Sequence, residues 1–301
     1  MSVTKSVIPA AGLGTRMLPA AKAVAKELLP VLDRPTIQYV VEEAAAAGIT
    51  DVLLISSPAK RAIEKHFQPM PELEARLDAA GKGELLTSLR LLMQRVKVSA
   101  VDQAQQLGLG DAVRHARAFA GAEPFLCQLG DAIFTGDLPP AKQLIDAHQL
   151  LGTVVIGVEE VPVDKVERYG IIGGRETEPG LWKLDTIVEK PTASIAPSRL
   201  AVAARYVLTP AIFDCLDDTP SGKGGEIQLT DAIRLLLSRE VVHAVVLKSQ
   251  RHDIGSPLDW LKTNLIFASR DARIWEQLAP LARQLLSEPD GRAARSDARK
   301  S

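Results

Sequence analysis

The chain has 301 residues, 36 Lys and Arg against 37 Asp and Glu, and 46% hydrophobic residues. Such a length buries a large core, as one large domain or two modest ones. A net charge of −1 leaves no basic footprint and argues against nucleic acid as a partner, and no apolar run approaches the ~18–20 residues of a transmembrane helix.

The opening "MSVTKSVIPAAG" enters a motif too early for a signal peptide. Val7–Ala10 reads as a strand. Pro35–Ala47 reads as a helix, with Gly48 suited to its C-terminal cap. Val52–Ser56 is a second strand, and residues 72–95 are helical and charged. Val96–Val101 and Pro124–Leu129 follow as strands, with a helix from about Asp111 to Ala118 between them. Leu138–Leu151 is helical and Thr153–Val161 is a strand. Residues 163–210 are richer in glycine and proline, with strands at 181–189 and 200–208. A helix over 228–239, a strand at Val241–Lys248 and a helix over 257–269, opened by Pro257, complete the pattern. From Ser287 the chain is polar and charged and is expected to fray. Alternating strands and helices predict an α/β fold: a Rossmann-like, doubly wound, mostly parallel (mixed) sheet flanked by helices. Cys127 and Cys215 lie far apart among apolar neighbours, which fits two buried free thiols in a reducing cytoplasm.

The strand Val7–Ala10 runs into Ala11-Gly12-Leu13-Gly14-Thr15-Arg16. Two glycines at the carboxyl end of a strand let the backbone turn tightly and offer its N–H groups to an anion. Arg16 can grip a phosphate with two donors, and Lys26 adds a mobile point charge. A dinucleotide site would need a third glycine at 17, where Met17 stands. A P-loop would need G-x-x-x-x-G-K-[ST]. Two cations and a glycine turn suit a nucleoside triphosphate. Taken alone, each piece also has a plain reading, as an ordinary loop and a solvated lysine.

"GLGTRMLPAAKAVAKELLPV" resembles the signature of the sugar-1-phosphate nucleotidylyltransferases. The resemblance runs over roughly residues 5–268. It includes, in order, "FQPMPELEARLDAAGKGELL", "LGLGDAV", "RYGIIGG", "VEKP", "AARYVLTPAIF", "GEIQLTDAI" and "HDIGSPLDWL". These pieces are similar to the branch that joins UTP to glucose-1-phosphate. The implied fold is the nucleotide-diphospho-sugar transferase type. The implied organisation is a single domain over 1–286, with a nucleotide-binding half at about 1–135, a sugar-binding half at about 136–268 and C-terminal helices to about 286. The implied reaction is uridylyl transfer from UTP, giving UDP-glucose and pyrophosphate with Mg²⁺ as cofactor, in a cytoplasmic homo-oligomer, a dimer or tetramer.

Residue by residue, the resemblance puts Ala11, Gly12, Gly14, Thr15, Arg16 and Lys26 at the triphosphate, and Gln103, Gly108 and Gly110 at the base. Gly170, Glu189, Lys190 and Glu226 fall at the sugar phosphate, and Asp131 and Asp253 at the metal. Arg16, Lys26, Asp131 and Lys190 would carry the catalysis. Asp131 and Asp253 each follow a strand, where an open sheet presents its ligands. Mg²⁺ prefers such hard oxygen donors. Gln228 and Asp231 rank below these; Asp231 also suits the first turn of a helix.

Three departures bear on specificity. Asp111 stands where the pattern has histidine, and suits either a cap on the following helix or a charge at the triphosphate end. Ala25 replaces a proline. "LGDAIF" and "RYGII" lean toward the related thymidylyltransferases, so dTTP or another sugar phosphate forms the rival reading. A non-catalytic sensor of nucleotide sugars is a third reading, which the retained Asp131, Asp253, Lys26 and Lys190 disfavour.

Overall fold

The computed structural model describes residues 2–287. The expected polar tail lies outside them, apart from Ser287, which closes the last helix. Thirteen strands are described: β1 Lys5–Pro9, β2 Pro30–Val31, β3 Arg34–Pro35, β4 Asp51–Ser56, β5 Lys97–Asp102, β6 Phe125–Gln128, β7 Ala132–Thr135, β8 Val154–Glu160, β9 Gly170–Glu178, β10 Leu181–Glu189, β11 Leu200–Leu208, β12 Val242–Val246 and β13 Gln250–Asp253. Nine of them form one sheet, in the order β5-β4-β1-β6-β11-β8-β12-β10-β9.

Side chains alternate between the faces of a strand, so a strand covered on both faces is apolar throughout. Val7, Leu53, Ile55, Phe125 and Cys127 face one way. They pack on Ala112, Val113, Ile212, Phe213 and Ile233, carried by the helices Leu109–Arg114, Ala211–Asp218 and Leu229–Leu236. Ile8, Val52, Leu54 and Leu126, one residue out of step, face the other way. They meet Ile37, Val40 and Val41 of the helix Thr36–Ala46 and Leu144 and Ile145 of the helix Pro140–Leu151. Each fully buried side chain of this size contributes roughly 1.5–3 kcal/mol. Two apolar cores on a shared sheet make the chain a three-layer, mixed α/β protein.

The sheet corrects the expectation of mostly parallel strands. β5, β4, β1 and β6 run parallel, as do β8 and β12. β11 runs antiparallel to β6 and β8, and β10 to β12 and β9. Four of the eight neighbouring pairs are therefore parallel and four antiparallel. One of the four has a local cause: β9 and β10 are joined only by Pro179 and Gly180, whose φ is 78°. So short a connection can join only antiparallel neighbours.

The helix expected over Asp111–Ala118 is two short helices, Leu109–Arg114 and Arg117–Ala120, and the one expected over 228–239 ends at Leu236. Most other boundaries shift by a residue or two, and 181–189 and 200–208 are strands as expected. The segment 72–95 is two helices, Pro71–Ala79 and Thr87–Arg95, because Gly81 turns the chain with φ 66°. β9 is not expected from the sequence. Gly170, Gly173 and Gly174 dilute its strand signal, yet the last two are required: a Cβ on Gly174 would lie 2.1 Å from the Lys183 carbonyl oxygen and one on Gly173 2.8 Å from Pro197. The four-residue strands β7 and β13, which pair with each other outside the main sheet, are likewise not expected.

Candidate active site

The glycine turn leaves β1 at the centre of the parallel half of the sheet. Gly14 has φ 65°, a backbone state that a residue with Cβ enters at a cost. Gly12 faces open space: a Cβ there would meet no atom within 4 Å. After the turn the chain forms no α-helix. Three short 3-10 turns follow, Thr15–Met17, Ala20–Lys22 and Lys26–Leu28. Met17 is 2% exposed, so this position anchors the turn in the core where a dinucleotide fold would seat a glycine against its helix. The chain then doubles back, and the Lys26 methylenes pass 3.5 Å from where a Gly14 Cβ would sit.

This path brings Lys26 to Asp131. Lys26 Nζ lies 2.5 Å from Asp131 Oδ2, with both side chains partly buried. Burial opposes the Lys26 charge, but Asp131 and Glu27 outweigh it and hold the ammonium above its ordinary value. Burial likewise opposes the Asp131 charge, and Lys26 and Arg16 outweigh it, so this carboxyl sits below its ordinary range. Glu27, 2% exposed, is tied by a 2.9 Å bond from Lys60 Nζ, which also donates to the Ala10 carbonyl at 2.7 Å. Lys60 thus pins both ends of the turn.

Asp253 is placed differently from its sequence expectation. It does not directly follow the strand Val242–Val246; it ends β13, an additional strand. β13 pairs antiparallel with β7, Asp253 lies opposite Ala132, and the Ile254 N–H donates to the Asp131 carbonyl at 2.8 Å. The backbone therefore fixes the two aspartates side by side. Burial, and then the charge of Asp131, raise the Asp253 carboxyl above its ordinary value. A Cβ on Gly255 would lie 2.8 Å from Asp253 Oδ1 and 3.2 Å from Arg16 Nη2, so the Arg16 guanidinium reaches the same corner. No cluster of three or more His, Cys, Asp or Glu suited to a metal occurs among the described residues. Two adjacent carboxylates are a donor set that suits Mg²⁺ completed by phosphate oxygens and water.

Arg205 holds this corner from beneath and is not singled out by the sequence reading. It is fully buried in β11. Its guanidinium donates to Glu43 at 2.7 and 3.0 Å, to the Ala132 carbonyl at 2.9 Å and to the Leu129 carbonyl at 3.4 Å. Those carbonyls flank Asp131. An arginine inside an apolar strand is the available signal, because a buried guanidinium must be paired.

A second group lies where β9 begins and β10 ends. Thr230 Oγ1 donates to Glu189 Oε2 at 2.7 Å, and Lys190 Nζ lies 3.1 Å from Glu189 Oε1. A Cβ on Gly170 would come within 3.1 Å of Thr230 Oγ1 and 3.3 Å of Glu189 Oε2, so a side chain there would crowd this pair. Lys190 adopts φ 45°, a strained state for a lysine. Its N–H donates to the Tyr169 carbonyl at 3.0 Å. Arg251 of β13 stacks 4.5 Å from the Tyr169 ring centroid, which ties this group to the aspartate ribbon.

The third group is Gln103 with the loop 107–110. Gln103 is 3% exposed, just beyond β5. Gly108, with φ 100°, and Gly110 are glycines for a packing reason: a Cβ on either would lie 2.8 Å from the Ile227 carbonyl oxygen. Glu226 stands on this side, against Gly108, and accepts from Gln228 Nε2 at 3.0 Å. Asp231 is a first-turn acid of the helix Leu229–Leu236 and pairs with Arg234 at 3.4 Å. Asp111 does not cap its helix. The capping position is Gly108, and Asp111 instead accepts a bond from Gln103.

Cations paired with hard carboxylates at the mouth of a parallel sheet answer the needs of phosphorus–oxygen chemistry, and on this fold they define an enzyme of the nucleotidyltransferase class. The chain belongs to the nucleotidyl transferase family, whose sequence model matches residues 5–270. It is 45% identical over 283 residues to a UTP–glucose-1-phosphate uridylyltransferase of Staphylococcus epidermidis, covering 94% of this chain and 98% of that protein. A UTP-bound UGPase from Acinetobacter baumannii is similar in structure with a TM-score of 0.87 at 37% identity, covering 94% of this chain and 99% of that one. A UDP-glucose pyrophosphorylase complexed with UDP-glucose gives 0.83 at 36% identity, covering 89% and 100%.

Proposed function

We infer that this chain is a UTP–glucose-1-phosphate uridylyltransferase. A phosphate oxygen of glucose-1-phosphate attacks the α-phosphorus of UTP, the bond to the β-phosphate breaks, and UDP-glucose and pyrophosphate result. The observation that carries this reading is the corner where Arg16, Lys26, Asp131 and Asp253 meet beside the glycine turn, in a family whose relatives bear this activity.

The roles follow from the chemistry of each group. Ala11, Gly12, Gly14 and Thr15 offer the backbone to the triphosphate. Arg16 and Lys26 balance charge on its oxygens and on departing pyrophosphate. Asp131 and Asp253 would hold Mg²⁺, which when bound neutralises phosphate oxygens and favours an in-line approach. Gln103, Gly108 and Gly110 serve the uracil. Gly170 and Glu189 receive sugar hydroxyls, Lys190 the sugar phosphate, and Glu226 borders the sugar from the Gly108 side. In this reading, residues 1–286 act as one domain. Its half at about 1–135 is Rossmann-like and binds nucleotide, and its half at about 136–268 binds the sugar.

No described helix is long and apolar enough to cross a membrane. Two free, buried cysteines suit a cytoplasmic enzyme. Assembly as a homo-oligomer, a dimer or tetramer, is supported by the last helix, where Leu281, Leu285 and Leu286 are 49%, 58% and 87% exposed. The direct experiment is product analysis with UTP, glucose-1-phosphate and Mg²⁺. UDP-glucose and pyrophosphate in equal amounts are expected, and failure to form UDP-glucose refutes the reading.

A further inference from the structure

We propose that Asp111 is a specificity-determining positioning residue, which orients the Gln103 amide so that the site accepts uracil and rejects cytosine. The proposal rests on the reading that Gln103 lies at the base.

A primary amide has one acceptor and two donors, and its orientation is set by its neighbours. Gln103 Nε2 donates to Asp111 Oδ2 at 2.7 Å and to the Gly108 carbonyl at 3.3 Å. A carboxylate and a carbonyl only accept. Both amide hydrogens are therefore committed, and turning the amide over would set Oε1 against two acceptor oxygens. Gln103 and Asp111 are 3% and 7% exposed, so water does little to soften that conflict. Oε1 takes no hydrogen bond from the described residues, and it is not sealed from solvent. The side chain thus presents a fixed acceptor.

Uracil carries a donor at N3 and suits such an acceptor. Cytosine carries a lone pair at N3 and is repelled by it. A histidine in place of Asp111 could either donate or accept and would not impose this orientation alone. Arg114 Nη1, 3.9 Å from Asp111 Oδ1, adds a longer-range attraction to the carboxylate. A site that leaves a buried acceptor facing a lone pair discriminates more strongly than one that misses a methylene.

The test is the ratio of kcat/KM for UTP and CTP, read by pyrophosphate release at saturating glucose-1-phosphate. Asp111→Asn keeps the shape but can donate as well as accept, so the shorter of the two contacts no longer opposes a turned amide and only the Gly108 carbonyl at 3.3 Å still does. The UTP:CTP ratio is expected to fall at least tenfold, with the KM for glucose-1-phosphate within twofold. Asp111→Ser is the second variant, with the same expectation, should the asparagine form fold poorly. Asp111→Glu, still an acceptor only, is expected to keep more of the ratio than either. Gln103→Ala is expected to lose it. If Gln103→Ala loses the ratio while Asp111→Asn and Asp111→Ser keep it, the proposal is overturned and the base-pocket reading stands. An equal loss for both nucleotides in the Asp111 variants makes the residue merely structural and also overturns the proposal. If Gln103→Ala keeps the ratio, the base-pocket reading itself is wrong.

Discussion

Lys26 and Asp131 hold each other, Nζ to Oδ2, at 2.5 Å. A residue assigned to the triphosphate and one assigned to the metal thus form an ion pair across 105 positions of sequence. The pair keeps each group charged despite its burial. Substrate binding must then exchange one charged partner for another, which costs less than stripping a charge of water.

Removing the carboxylate charge at this pair should disable chemistry without unfolding the chain. Asp131→Asn keeps the side-chain volume and is expected to lower kcat roughly a hundredfold or more, about 2.7 kcal/mol of transition-state stabilisation. Steady-state rates at saturating Mg²⁺ together with a thermal melt check this. Near-normal turnover would refute the metal assignment.

The two lysines should separate by substrate. Lys26→Ala is expected to weaken UTP use or turnover, and Lys190→Ala mainly the use of glucose-1-phosphate. Varying each substrate in turn gives the two KM values. Both variants weakening one substrate alone would show the roles to be misassigned.

Arg205 and Glu43 form a buried ion pair at 2.7 Å under the Asp131 loop. Arg205→Met leaves the Glu43 carboxylate without its counter-charge, held only by the Ala141 N–H at 3.0 Å, and frees the carbonyls of Leu129 and Ala132. It is expected to cost roughly 3–5 kcal/mol of stability and to raise the Mg²⁺ concentration needed for half-maximal rate. Arg205→Met combined with Glu43→Leu should recover stability without recovering the Mg²⁺ requirement. Denaturant melts and Mg²⁺ titrations measure the two effects separately. An unchanged Mg²⁺ requirement in Arg205→Met would remove Arg205 from the support of Asp131.

Much of this fold is legible in residue order. Apolar runs such as "VIPA" and "VLLIS" announce strands buried on both faces, and the Gly48 and Pro257 signals mark helix ends where the chain has them. What escapes is non-local or masked. β9 is hidden by glycines that its neighbours require. β7 and β13 are four residues each and are recognisable only by pairing with one another across more than a hundred positions. The strand order cannot be read locally either, because β11 inserts between β6 and β8. In the site, the motif residues Lys26, Asp131 and Asp253 are legible and do meet. Glu27 with Lys60, and Glu43 with Arg205, are not, since an isolated charged residue in a sequence gives no sign of its partner.

The base and sugar are where the sequence is most divided, because "LGDAIF" and "RYGII" lean toward thymidylyl transfer while the base segment leans toward uridylyl transfer. UTP and dTTP differ by the ribose 2′-hydroxyl and the 5-methyl group. A pocket that hydrogen-bonds the hydroxyl loses a partner with dTTP, whereas the methyl alone is worth only ~1–3 kcal/mol. The most direct test is pyrophosphate release with glucose-1-phosphate fixed and UTP and dTTP compared. The highest kcat/KM is predicted for UTP, with dTTP used poorly; equal or better use of dTTP would contradict the uridylyltransferase assignment.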